Sequence, residues 1–221
     1  SVLFYCLLHG EKIMKTRITC FFVVLLLFMH PIPAFATITG YTDVPAGFWA
    51  TESINTATKL GIIKGIGGGA FGVGQPVSRA QFATMLVRLF GWETVKPETP
   101  SFSDAQDITA WYYPMLETAV ANGAVLRDST TFRPSDSMTR EEMAIMLVRA
   151  LGYDELAAYV STSGMPFTDV STFKGHITVA HDFGIINGIS STAFAPNGNA
   201  TREQAAAMMT RLYNRTHSKT D

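Results

Sequence analysis

The pattern Ser/Thr-Arg-x-Glu/Gln appears three times, and each time it opens an apolar run. The copies are Ser78-Arg79-Ala80-Gln81, Thr139-Arg140-Glu141-Glu142 and Thr201-Arg202-Glu203-Gln204. Their arginines lie 61 and 62 residues apart, and a fixed period of that kind marks a repeat architecture. More of each unit recurs in the same order. Aromatic-Ser/Thr-Asp opens it, at Tyr41-Thr42-Asp43, Phe102-Ser103-Asp104 and Phe167-Thr168-Asp169. A glycine in a small apolar block follows, at Gly61, Gly123 and Gly184. Then comes a phenylalanine eight residues before the motif arginine, at Phe71, Phe132 and Phe194, and a second arginine nine residues after it, at Arg88, Arg149 and Arg211.

After each motif, apolar residues recur at i, i+3, i+4, i+7: Phe82, Met85, Leu86 and Leu89 in repeat one, Met143, Met146, Leu147 and Ala150 in repeat two, Ala205, Met208, Met209 and Leu212 in repeat three. That spacing predicts a helix with one buried face. The first half of each unit also reads as helix, with Ile54, Ala57 and Leu60 on one side, ending at the glycine, which tolerates positive φ. A Pro/Gly/Ser-rich loop joins the halves. Each unit is therefore helix–loop–helix, the fold class is all-α, and such pairs must cover one another's apolar stripes. The unit boundaries fall at residues 41–92, 102–153 and 167–214. Glu93–Ser101 and Asp154–Pro166 are linkers, the second with a short helix over 154–160.

The motif carries its own local chemistry. Ser/Thr-x-x-Glu/Gln is a capping box, in which Ser78, Thr139 or Thr201 accepts from the N3 amide. Gln81, Glu142 or Gln204 reaches back to the cap residue's N–H. The arginine is not needed for this, and a cation at N1 works mildly against the helix dipole. It asks for a partner: either a salt bridge to Asp43, Asp104 or Asp169 of a neighbouring repeat, or a bound carboxylate or phosphate held by the planar fork. In the second case the helix N-terminus is expected to lend its own donors to the anion.

The ordered series resembles the S-layer homology (SLH) domain, a family with three tandem copies. The resemblance covers roughly residues 41–214. It rests on Tyr41-Thr42-Asp43-Val44-Pro45 with Trp49-Ala50, then Leu60-Gly61-Ile62-Ile63-Lys64-Gly65, then Phe71, then Ser78-Arg79-Ala80-Gln81-Phe82-Ala83, with counterparts in the later repeats. It implies a pseudo-threefold arrangement with the motif helices as a central bundle. It also implies non-covalent anchoring to a secondary cell-wall polysaccharide linked to peptidoglycan, carrying a pyruvate ketal and bound in grooves between repeats. The glycan-binding residues it points to are Arg79, Arg140, Arg202, Trp49, Trp111, Asp43, Asp104 and Asp169. Each tryptophan either stacks on a sugar ring or wedges its helix against the next. Each aspartate orients the arginine, bonds a sugar hydroxyl, or caps a local turn.

The chain departs from the family pattern. None of the three motifs is Thr-Arg-Ala-Glu, and repeat three has Phe173 where the others have tryptophan. Glu141 and Glu203 are expected to compete with an anionic ligand. Arg79 with Trp49 therefore makes the best-equipped site, Arg140 with Trp111 the next, and repeat three the weakest. Arg88, Arg149 and Arg211 read as solvated or as inter-repeat ion pairs.

Residues 1–13 read as an upstream extension and 14–36 as a secretory signal, with a basic Met14-Lys15-Thr16-Arg17, an apolar Ile18–Met29 and a small-x-small Ala34-Phe35-Ala36. Cleavage before Thr37 would leave no stable membrane span, whereas a retained anchor is the alternative. Both cysteines, Cys6 and Cys20, fall in this segment, so the repeats rely on packing and not on disulfides. The formal net charge of −1 carries no basic nucleic-acid footprint.

Catalytic and metal sites are not expected. His176 and His181 are five residues apart and off one helical face. Gly67-Gly68-Gly69 lacks the following Gly-Lys-Ser/Thr of a phosphate loop. No nucleophile elbow occurs. The reading is a secreted, non-enzymatic wall-anchoring module of a bacterial surface with no cofactor. Two rivals stand: a structural surface-layer assembly protein contacting other surface-layer proteins, and a fragment of a larger wall-remodelling enzyme.

Overall fold

The computed structural model describes residues 40–217. The extension, signal and both cysteines lie outside them. Seven helices make up the described part: α1 Thr51–Lys59, α2 Arg79–Phe90, α3 Tyr113–Ala121, α4 Arg140–Ala150, α5 Asp154–Tyr159, α6 Lys174–Asp182 and α7 Arg202–His217. Among the described residues there is no strand, only isolated bridges. α1, α3 and α6 are the first helices of the three repeats, α2, α4 and α7 the motif helices, and α5 the short helix expected in the second linker.

The first helices stop where the glycines dictate. Gly61, Gly123 and Gly184 all have φ near +70° (71°, 73° and 65°). The turn lets Ile62, Ala124 and Ile185 donate back to the carbonyls of Ala57, Ala119 and Ala180. The motif helices are buried on more than the one face that periodicity predicts. In α2 every residue from Phe82 to Val87 is buried, and in α7 the buried run is Ala205 to Thr210. The reason lies in the packing. α2 touches both α4 and α7, and it also carries the first helix of the next repeat. A helix covered on several sides loses its polar stripe.

That handover repeats along the chain. α3 packs on α2, α6 packs on α4, and α1, the first helix, packs on α7, the last. The backbone closes in the same sense. Val77 N–H donates to Ala200 C=O (2.9 Å), Ala200 N–H to Met138 C=O (2.8 Å), and Met138 N–H to Val77 C=O (2.9 Å). These are the residues immediately before the three motifs, and the three bonds form a closed ring. All three side chains are buried.

After each buried phenylalanine the backbone turns left-handed: Gly72 has φ +90°, Arg133 +60° and Ala195 +59°. Repeat one uses glycine there, and a Cβ on Gly72 would press on Nε and Cδ of Arg202 at 3.0 and 3.1 Å. The other two repeats hold the same turn against the Cβ penalty. Ala195→Gly is expected to raise stability by about 0.5–1 kcal/mol, the left-handed cost less the added chain entropy. An unmoved urea midpoint would count against strain at this turn.

Candidate functional site: grooves between the repeats

The motif helices start as their sequence predicts, twice in full. Ser78 and Thr139 side chains accept from Gln81 and Glu142 N–H (3.2 Å each), and the Gln81 and Glu142 side chains accept from Ser78 and Thr139 N–H. At the third copy only half is present. Gln204 accepts from Thr201 N–H at 3.3 Å, while Thr201 Oγ1 is buried without a partner.

Five amides at the starts of the motif helices are not left for a ligand. Arg79, Arg140 and Arg202 N–H donate to the carbonyls of Asp136, Gly198 and Gln75, and Ala80 and Glu141 N–H to those of Pro134 and Pro196. For these five amides the expectation that a helix N-terminus adds donors to the bound anion is not met. The loop of the adjoining repeat occupies them.

Each motif arginine reaches across into the next repeat. Nε of Arg79, Arg140 and Arg202 donates to the carbonyl of Phe132, Phe194 and Phe71 at 2.6, 2.8 and 2.8 Å. Each guanidinium also lies over the ring of that same phenylalanine, 4.7–5.0 Å from its centroid, a cation–π distance. Nη2 of Arg140 and Arg202 donates further, to Asn187 and Lys64 carbonyls. Arg79 differs: its Nη1 pairs with the Glu142 carboxylate at 2.8 Å. Burial draws all three guanidinium pKa values below the ordinary one, and nearby carboxylates act against this: Glu142 at Arg79, Asp169 at Arg140, and Asp43 and Glu203 at Arg202.

The aspartates are not the arginines' partners. Asp43 carboxylate oxygens accept from Phe71, Gly72 and Val73 N–H, those of Asp104 from Phe132 and Arg133, and those of Asp169 from Phe194 and Ala195. Each fixes the loop that its neighbour's arginine grips. Glu203 and Glu141, expected to compete with a ligand, are also engaged, with Gly74 N–H and the Thr172 hydroxyl.

Asp43 and Asp169 set an acid limit on the fold. At Asp43 burial raises the pKa, and the N–H groups of Phe71, Val73 and Gly72 more than reverse it. At Asp169 the Phe194 and Ala195 N–H groups lead the lowering. A carboxyl held low in the folded state stabilises it above the unfolded value of about 3.9. That contribution is lost as pH falls through the folded value. Urea midpoints are expected to stay level from about pH 7 to 5 and to fall below about pH 4. In Asp43→Asn the midpoint should start lower at neutral pH and fall less in acid; equal acid slopes would remove Asp43 from this role.

Two cavities lie at the junctions. The first, about 320 Å³, combines Lys64, Gln81 and Arg88 of repeat one with Trp111 of repeat two and Arg202 of repeat three. The second, about 370 Å³, combines Asn187, Gln204 and Arg211 of repeat three with Trp49 of repeat one and Arg140 of repeat two. Both volumes fall in the range of small-ligand sites. The pairings differ from those read in the sequence. Trp49 meets Arg140, not Arg79, and Trp111 meets Arg202, so the motif of repeat three serves a groove that has a tryptophan. Both indoles are well exposed, at 59% and 61%. Arg140 and Arg202 are 5% and 4% exposed, and neither has a carboxylate within ion-pair distance among the described residues.

Arg88 and Arg211 were set aside on sequence grounds, yet they line the same two grooves. The available signal was their offset. Nine residues at about 100° each turn a helix by about half a revolution, so the two arginines of one motif helix face opposite grooves.

A sequence model of the S-layer homology domain matches this chain at residues 40–83, 101–144 and 166–206. The chain belongs to the S-layer homology domain family. Its relatives include an amylopullulanase of Thermoanaerobacterium thermosulfurigenes, 34% identical over 73% of this chain but only 9% of the enzyme. Exoglucanase XynX of Acetivibrio thermocellus is 33% identical over 73% of this chain and 15% of its own length. An S-layer protein of Bacillus thuringiensis subsp. finitimus is 29% identical over 79% and 21%. The chain therefore spans less than a quarter of the length of these relatives, and enzymes and S-layer proteins alike match most of it. This membership places the chain among secreted proteins of the cell surface. No helix among the described residues is long and apolar enough to cross a membrane.

Proposed function

We propose that the three S-layer homology repeats form a non-catalytic anchor, which binds an anionic secondary cell-wall polysaccharide in the grooves between repeats. The observation that carries this reading is the state of Arg140 and Arg202. Each is a buried cation held by carbonyls and a phenyl face, with no carboxylate partner, at a cavity rimmed by an exposed tryptophan. A buried charge without a paired counter-ion is costly, and the carboxylates that act from beyond ion-pair distance, Asp169 on Arg140 and Asp43 on Arg202, do not cancel the effect of burial. A carboxylate-bearing sugar offers both the anion for the guanidinium fork and an apolar ring face for the indole. A pyruvate ketal fits this description. The cyclic order of the contacts supports a pseudo-threefold arrangement with α2, α4 and α7 as its central bundle.

Asp43, Asp104 and Asp169 contribute by shaping the loops and do not reach the sugar themselves. Arg88 and Arg211 add a second cation to each groove.

Co-sedimentation with purified wall sacculi tests the reading. Binding is expected to vanish when the secondary polysaccharide is removed chemically. Binding that survives its removal would assign the ligand to peptidoglycan, and no binding at all would favour contacts with other surface-layer proteins.

A further inference from the structure

The pair Asn-Gly occurs three times, at Asn122-Gly123, Asn187-Gly188 and Asn197-Gly198. In such a pair the asparagine can modify itself, because glycine has no side chain to shield its backbone nitrogen or hold the chain away from the required bend. The reaction needs a free N–H on the glycine and a free amide on the asparagine. One pair offers both. Gly123 N–H donates to Val120 C=O at 3.0 Å, and Asn122 Nδ2 donates to Thr118 C=O at 2.9 Å. Gly198 N–H donates to Ala195 C=O at 3.0 Å. Among the described residues Gly188 N–H has no acceptor and the Asn187 side chain no partner, and Asn187 is exposed.

The fold demands the glycine of this pair but not the asparagine. A Cβ at position 188 would strike the carbonyls of Ser190 and Ala193 and the ring of Phe167. In the register of the helix-ending glycines, repeat one has Lys64 where repeat three has Asn187, and repeat two has Leu126. The Lys64 carbonyl accepts from Arg202 Nη2 as the Asn187 carbonyl accepts from Arg140 Nη2, at 2.6 and 2.7 Å. Asn187 also lines the cavity of Trp49, Arg140 and Arg211.

We propose that Asn187 is a self-modification site, whose deamidation supplies Arg140 with a carboxylate and closes its groove to other anions. The Gly188 nitrogen attacks Cγ of Asn187. A C–N bond forms, the bond from Cγ to Nδ2 breaks, and ammonia leaves with the proton of Gly188. Water then opens the succinimide ring at either carbonyl, and no oxidant or reductant takes part. Opening at Cγ leaves aspartate, a negative charge in the cavity. Opening at the backbone carbonyl leaves isoaspartate, in which the oxygen that accepted from Arg140 has become part of a carboxylate, a stronger acceptor for a guanidinium. The modification stands on geometry alone; its effect on binding rests on the reading of this groove as an anion site.

Peptide mapping by mass spectrometry of the full chain, stored at mildly alkaline pH, tests the site without any ligand. Isoaspartate and aspartate are expected at Asn187 about five- to tenfold faster than at Asn122 or Asn197, the factor for a backbone hydrogen bond that must break first. Equal rates at the three pairs, or a faster rate at another, would overturn the proposal. Co-sedimentation with wall sacculi reads the consequence. Storage is expected to lower the affinity about tenfold or more, since losing one of two linked grooves removes avidity. Asn187→Asp should show the loss when fresh, and Asn187→Lys should lose nothing on storage relative to its own fresh sample, with circular dichroism checking each fold. A folded, deamidated chain that sediments as tightly as the fresh one would overturn the closing of the groove. If the fresh chain does not bind sacculi at all, the groove reading falls and the closing with it, whereas the mapped modification is judged by its own rates.

Discussion

A chain ending at Val160 is expected to lose cooperative folding altogether, although it keeps two complete repeats. Its loss would extend well beyond a missing third. α1 is covered by α7, so Ile54 and Ala57, fully buried in the whole chain, would face water. Val77 N–H would lose Ala200, Met138 C=O would lose its donor, and the carbonyls of Phe71 and Lys64 would lose Arg202. α7 alone contributes Met208, Met209 and Leu212 to the core, each worth about 1.5–3 kcal/mol when fully buried. A domain has only about 5–15 kcal/mol in total. Thermal melts followed by near-ultraviolet circular dichroism decide the matter. A broad, featureless melt is the expected result. A sharp transition with roughly two thirds of the enthalpy would mean that the repeats fold as separable units and that the ring does not couple them.

Arg140→Ala combined with Arg202→Ala is expected to remove wall-polysaccharide binding. Hydrogen bonds to a charged group contribute about 1.5–3 kcal/mol, which is about a 10- to 150-fold loss in each groove. On a multivalent glycan the two losses compound. Folding must be measured beside binding, because Arg140 and Arg202 each hold two carbonyls in the adjoining repeat. Arg140→Lys and Arg202→Lys, which keep the charge but not the fork, should lose affinity with a smaller change in melting. If the folded double alanine variant still sediments with sacculi, the ligand is held by Trp49 and Trp111 or by neutral hydroxyl contacts, and the cations are structural.

Much of this was legible in the sequence. The period, the helix-ending glycines, the first two capping boxes and the core spacing Phe82, Met85, Leu86, Leu89 are all local signals, readable inside one repeat. The partnerships were not. A repeat pattern fixes the register within a unit but not which unit a side chain enters. Thus Trp49 was matched to Arg79 of its own repeat when it shares a cavity with Arg140 of the next repeat. The aspartates were left between arginine partner, sugar ligand and local cap, because charge is visible in sequence and the distant loop amides that bind them are not. The left-handed turn was hidden for a different reason. Only Gly72 advertises it, while Arg133 and Ala195 adopt it against their own preference.

The ring of Val77, Met138 and Ala200 also bears on how such a chain can grow. An open stack of repeats can be lengthened by duplicating a unit, since its end always offers an unused face. Here the last repeat is bonded back to the first, and a fourth tandem copy would find every N–H donor of the ring already taken. A fourth copy inserted into the ring would have to break one of its three bonds, and removal of one unit leaves the other two without the partner that closes it.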